Sequence, residues 1–205
     1  MPRALRQGEM IAAALPIFGE RGYHAASMDE IATAAGITKP MLYAYFDSKQ
    51  GLFAACAEIL GERLRERVAA VGRAELPADQ RLWLGLVAVF DFIAEHRNTW
   101  RVLYPPQGHP QAGPIGDAAQ HGRAAMSDLM VDLLRETAIG EGVAANAAAE
   151  VAPLAHALTA ATLAGAEWWL AHPEESGELQ ALRLMNLTWA GFDNLLRGRM
   201  WLPQA

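Results

Sequence analysis

Lys39 and Lys49 are the only lysines in the chain, and they bracket a short stretch carrying Met41, Tyr43 and Tyr45. Ammonium and phenol groups can donate to anionic oxygens, whereas a thioether offers mainly apolar contact. Arg3 and Arg6 add two cations near the start of the chain. Catalytic chemistry has no comparable signature. There is no glycine-rich phosphate loop, no His-x-x-x-His or Cys-x-x-Cys spacing and no Gly-x-Ser-x-Gly elbow, and the six histidines (24, 96, 109, 121, 156 and 172) are scattered. No catalytic residue, metal site or cofactor is expected, and the chain is not read as an enzyme.

The elements that must position the lysines lie between Ser27 and Phe53. Ser27 with Glu30 three residues later makes a capping box, so a helix is expected from Met28. Ile31, Ala32 and Ala35 share one face of it, and Gly36 stands where a left-handed residue ends a helix without a Cβ penalty. Thr38 is the next N-cap, and Pro40 falls in the first turn, where its missing amide costs nothing. Leu42 and Phe46 give this second helix a narrow apolar face. Asp47 and Ser48 cap a third. Two short helices joined by a glycine turn, the second with a polar and aromatic face, form the helix-turn-helix geometry that enters a DNA major groove.

The run IATAAGITKPMLYAYFDSKQGLF resembles the DNA-binding signature of the TetR family of transcriptional repressors. Ile31, Ala32, Ala35, Gly36, Thr38, Lys39, Leu42, Tyr43, Tyr45, Phe46, Lys49 and Leu52 match that pattern, and the resemblance covers roughly residues 9 to 60. It implies that Thr38, Lys39, Pro40, Met41, Tyr43 and Tyr45 face the DNA, with Lys49 at the next helix start; Arg3 and Arg6, by their placement near the start of the chain, and Ser27 complete the expected DNA-binding set. In that set the two lysines neutralise phosphates, the tyrosines donate to the backbone, and Met41 contacts a base through apolar surface only. Tyr45 stands where the family often has histidine.

Charge alone does not point to nucleic acid. The formal net charge is −6, with five basic against six acidic side chains in residues 1–60 and twelve against seventeen in the remainder. Local placement of cations carries the expectation instead. The single cysteine, Cys56, excludes an internal disulfide and suits a reducing cytosol. No apolar run is long enough for a membrane span and no leader is recognised, so a cytoplasmic protein without membrane contact is expected.

An all-α fold of about nine helices is read along the chain. Residues 1–50 are expected to form an N-terminal three-helix helix-turn-helix domain, and 51–205 a helical ligand-binding and dimerisation domain. The first helix runs from about Pro2 to Arg21, with Pro16 expected to kink it and Gly22 to close it. Arg3 and Arg6 are expected on a terminal arm. A helix from Ser48 to Gly72, roughly 36 Å long at 1.5 Å per residue, would link the two bodies. The stretch from Pro105 to Pro114 reads as an irregular loop. The last two helices, from Ala144 to His172 and Gly177 to Gly198, are apolar on more than one face, so a partner subunit is the economical cover. In proteins resembling this family these helices form the homodimer that reads a palindromic operator.

Phe90, Trp100, Tyr104, Met126, Met130, His156, Thr159 and Trp168 supply apolar and aromatic surface broken by a few polar groups, as small-molecule pockets do. Helical cores share that composition, and only the resemblance to a ligand-sensing family marks these residues as a pocket. Together the expectations describe a homodimeric repressor released from double-stranded DNA by a small hydrophobic effector. The alternative is an all-helical small-molecule-binding protein or enzyme that does not bind DNA.

Overall fold

The computed structural model describes residues 3–104, 114–140 and 151–197. Residues 105–113 of the proline-rich stretch, 144–150 of the alanine-rich helix and Gly198 lie outside them. Among the described residues there are nine α-helices and no strand: α1 Arg3–Ala25, α2 Met28–Ala34, α3 Lys39–Phe46, α4 Lys49–Gly72, α5 Ala78–Glu95, α6 Arg97–Leu103, α7 Pro114–Gly140, α8 Val151–Ala171 and α9 Gly177–Leu196. None of the described helices is long and apolar enough to cross a membrane.

Packing divides the chain into two units that do not follow its order: Met1–Arg63 with His96–Gly122, and Leu64–Glu95 with Arg123–Ala205. The first unit therefore contains not only the expected N-terminal helices but also α6 and the start of α7. Its core is aromatic. Phe18 of α1 is fully buried and meets Phe53 of α4 edge to face at 5.1 Å, and Tyr23 packs edge-on to Phe53 at the same distance. Removing either phenylalanine ring would cost about 3–5 kcal/mol through lost burial and the void left behind. Ile31, Leu42 and Leu52 are equally enclosed, so the apolar faces of α2, α3 and α4 all point to this core. Tyr104, just after α6, donates from its hydroxyl to the Ala57 carbonyl at 2.9 Å and stacks on Trp100 at 4.4 Å.

Helix α1 differs from its expectation in two respects. It winds through Pro16 without leaving helical dihedrals, so the break comes only where it was expected, at Gly22, whose φ of 74° suits only glycine comfortably. Pro16 is exposed, so its ring meets solvent rather than a packed neighbour. Arg3 and Arg6 do not lie on an extended arm but are wound into the first turns of the same helix.

In the second unit, Phe90 of α5 is buried against Trp169 of α8, edge to face at 5.7 Å. Trp169 donates its indole N–H to the Glu175 carbonyl at 2.8 Å, tying the end of α8 to the turn that precedes α9. Arg67 grips both carboxylate oxygens of Glu95 at 3.0 and 2.8 Å, which joins the second half of α4 to the end of α5.

Candidate nucleic-acid interface and an interior cavity

The α2–α3 turn is built by local chemistry. Ser27 caps α2 by accepting the Asp29 amide at 3.2 Å, while Glu30 faces Arg21 at 3.4 Å instead of closing the reciprocal half of the capping box. At the other end Gly36, with φ 64°, allows the Gly36 amide to reach the Thr33 carbonyl and the Ile37 amide to reach the Ala32 carbonyl. This paired closure satisfies the last carbonyls of α2 and reverses the chain within three residues. Thr38 then starts α3 from an extended backbone, without a side-chain cap bond, and Pro40 occupies its first turn. Leu42 and Phe46 anchor α3 in the core, which leaves Lys39, Pro40, Met41 and Tyr43 on the exposed side.

Around that face the cations have defined partners. The Lys39 ammonium lies 2.8 Å from Asp29 Oδ2, and the hydrogen bond to Asp29, followed by that residue's charge, raises the lysine pKa above its ordinary 10.5. Lys49 donates to the His24 carbonyl at 3.1 Å and sits 4.8 Å from the centre of the Tyr23 ring. Arg3 lies over the Tyr45 ring at 4.9 Å, and Arg6 pairs with Glu9 at 3.3 Å. Ser27 and Thr38 are exposed at the two helix starts, while Tyr45 is half-buried. All ten residues of the expected DNA-binding set belong to the first unit, supplied by α1, α3, the first turn of α4 and the N-caps of α2 and α3. Sequence reasoning missed Asp29, Tyr23 and His24, which hold the two lysines. Their pairings span 10, 26 and 25 residues and leave no periodic signal.

The second unit holds a partly open cavity of about 110 Å³. Its wall is formed chiefly by Leu64, Val68, Leu82, Leu86, Val89, Leu133, Leu158 and Phe192 from α4, α5, α7, α8 and α9, with Arg81, Thr137, Thr159 and Thr162 as polar members. Of the eight residues read as a pocket, Met126, Met130 and Thr159 line it. Phe90 lies in the surrounding core, His156 is exposed on α8, and Trp168 is exposed and stacked on His172 at 3.9 Å. Trp100 and Tyr104 belong to the first unit. Arg81 and Thr137 were not foreseen. The signal was present, because Arg81 interrupts the apolar stripe of Ala78, Leu82, Gly85, Leu86 and Val89 at helical spacing. Among the described residues no cluster of histidine, cysteine and carboxylate side chains could hold a metal. Cys56 is fully buried, and burial pushes its thiol pKa up to about 12, far from reactive.

Caps, glycine turn and exposed cation-bearing helix together define a helix-turn-helix protein of the all-α class. Residues 10–56 match the model of the bacterial regulatory proteins of the tetR family, and 78–191 match the tetracyclin repressor-like C-terminal domain, so the chain belongs to the TetR family of transcriptional regulators. It is 29% identical over 196 residues to the HTH-type transcriptional activator FasR of Mycolicibacterium smegmatis, covering 95% of this chain and 86% of that protein. A TetR-like transcriptional regulator from Rhodococcus sp. RHA1 is 35% identical with a TM-score of 0.66, covering 94% and 98% of the two chains. A putative TetR-family regulator from Syntrophomonas wolfei shares the fold at a TM-score of 0.75 and 16% identity, over 98% of this chain and all of that one.

Proposed function

We propose that this regulator binds a palindromic operator as a homodimer in the cytoplasm and is released when a small hydrophobic effector fills the cavity of its second unit. The observation that carries DNA binding is α3 itself. Its buried residues hold it in place, and its start presents Lys39 beside first-turn amides that the Thr38 side chain leaves uncapped, an arrangement suited to a backbone phosphate. Few exposed side chains on α3 can pair with a base edge through two hydrogen bonds, so specificity leans on the shape and deformability of the DNA. Helix α4 carries Lys49 at one end and Leu64, Val68 and Gly72 of the cavity wall near the other. A ligand that favours one setting of that helix changes DNA affinity in proportion to its differential binding.

The dimer is supported by apolar surface on the last two helices. Trp168 of α8 is 43% exposed, and Leu179, Leu182 and Leu187 of α9 are 38%, 47% and 72% exposed. Sedimentation at micromolar concentration is expected to give a dimer; a monomer would count against this arrangement. DNA binding is tested by gel retardation with fragments flanking the protein's own gene. Failure to retard any of them would remove the reading.

Repression is the mode of action proposed for the operator-bound state. Activation is the second reading, and the observation favouring it is that the relative from Mycolicibacterium smegmatis is named an activator. A reporter behind the bound promoter separates the two, rising on deletion of the gene for a repressor and falling for an activator.

A further inference from the structure

We propose that the ligand of the second-unit cavity is an organic anion: an apolar body filling the cavity and a single carboxylate received by the guanidinium of Arg81. This rests on reading the cavity as the effector site. Among the described residues of the wall Arg81 is the only charged one, set in a mostly apolar lining whose other polar members are the three threonines. A guanidinium keeps its charge at any physiological pH, so the cavity is permanently cationic. Its Nη2 donates to Thr137 Oγ1 at 3.0 Å, but its Nε is enclosed and has no hydrogen-bond partner among the described residues. An enclosed donor on a charged group that lacks an acceptor is destabilising, and an arriving carboxylate oxygen would relieve it.

The threonines sharpen the choice of ligand. Thr137 donates its hydroxyl proton to the Leu133 carbonyl at 2.8 Å, Thr159 to Ala155 at 2.9 Å and Thr162 to Leu158 at 2.8 Å. Their protons are committed to their own helices, so these side chains present only lone pairs to a ligand. Thr137 spends one of those lone pairs on Arg81, which fixes the guanidinium against α7. The cavity therefore matches one monovalent anion. A doubly charged phosphate would leave a negative charge enclosed without a partner, and an ammonium would oppose the arginine.

Isothermal titration of the full chain with decanoate, decanol and decylamine, each below its micellar range, tests the proposal. Decanoate is expected to bind about tenfold or more tightly than decanol, the value of a hydrogen bond to a charged group, with decylamine weakest. In Arg81→Met that preference disappears while decanol still binds, and in Thr137→Val it shrinks. Equal affinities for decanoate and decanol in the unaltered protein overturn the proposal, as does a preference that survives Arg81→Met. Binding of none of the three overturns both the proposal and the cavity reading. Operator release separates the two ideas. If decanol releases DNA as well as decanoate does, the effector reading stands without the carboxylate. If decanoate is preferred in titration but leaves DNA bound, the carboxylate stands and the effector reading falls.

Discussion

The ammonium of Lys39 at the start of α3 is held 2.8 Å from the Asp29 carboxylate in the first turn of α2, across the turn that joins the two helices. A phosphate seeking Lys39 must therefore compete with a carboxylate already bound to it. Asp29→Asn removes the competitor and a nearby negative charge, so affinity for duplex DNA is expected to rise several-fold at low salt, where surface charges act most strongly. Fluorescence anisotropy over a salt series checks this, and weaker binding by the variant would show that Asp29 serves to orient the lysine. The raised lysine pKa also sets a pH window. The pair's contribution to stability is complete below 10.5 and is lost only as pH climbs through the higher folded value, so across the neutral range the stability change in Asp29→Asn should not vary through Lys39.

Lys49 is differently placed, with its ammonium on the His24 carbonyl and over the Tyr23 ring. Neither partner carries a full negative charge at neutral pH, so the lysine's charge remains available to a phosphate. Lys49→Ala is expected to weaken binding to any duplex and to reduce the slope of log affinity against log salt by about one. An unchanged slope would take Lys49 off the phosphate-contact list.

Gly51 lies in the first turn of α4, and a Cβ there would stand 2.2 Å from the Phe46 carbonyl oxygen. Because that atom is backbone at the end of α3, the turn itself must shift. Gly51→Ala is expected to cost about 1–3 kcal/mol in urea unfolding and to reduce DNA binding by moving α3 on its support. Gly8→Ala provides the contrast, since nothing lies within 4 Å of its added Cβ in α1. There a gain of about 0.5–1 kcal/mol is expected. Equal stability of the two variants would remove the steric argument.

Cys56 reports on opening of the first unit. With its thiol buried and its pKa pushed from 9.0 to about 12, it should react with a thiol reagent only through unfolding, and addition of urea should accelerate that reaction in step with loss of helix. The neutral thiol is the form the fold prefers. Its contribution is therefore full below 9.0 and declines as pH rises toward 12. Rapid labelling of the native protein at neutral pH would contradict the burial.

The local rules of the chain were enough to place most of what surrounds α3. Ser27, Gly36, Pro40 and Ser48 act through atoms a few residues away, so their roles are legible in order: the Gly51 amide bonds Ser48 Oγ at 3.0 Å, as a cap at Ser48 requires. The spacing of Leu42 and Phe46 likewise determined which side of α3 is buried and which is exposed. What the sequence could not decide was anything made by groups far apart along it. Asp29 meets Lys39 only once the turn has closed, and the Lys49 ammonium rests on a carbonyl 25 residues back. Arg81 reaches Thr137 across 56 residues. Phe90 and Met126 look alike as apolar residues in helices, yet one packs into the core and the other lines a cavity, because which side of a stripe meets empty space depends on how five helices converge. Pattern thus determined the helices and the exposed side of α3; only tertiary packing, through contacts between distant segments, decided the partners of Lys39 and Lys49 and the charge inside the cavity.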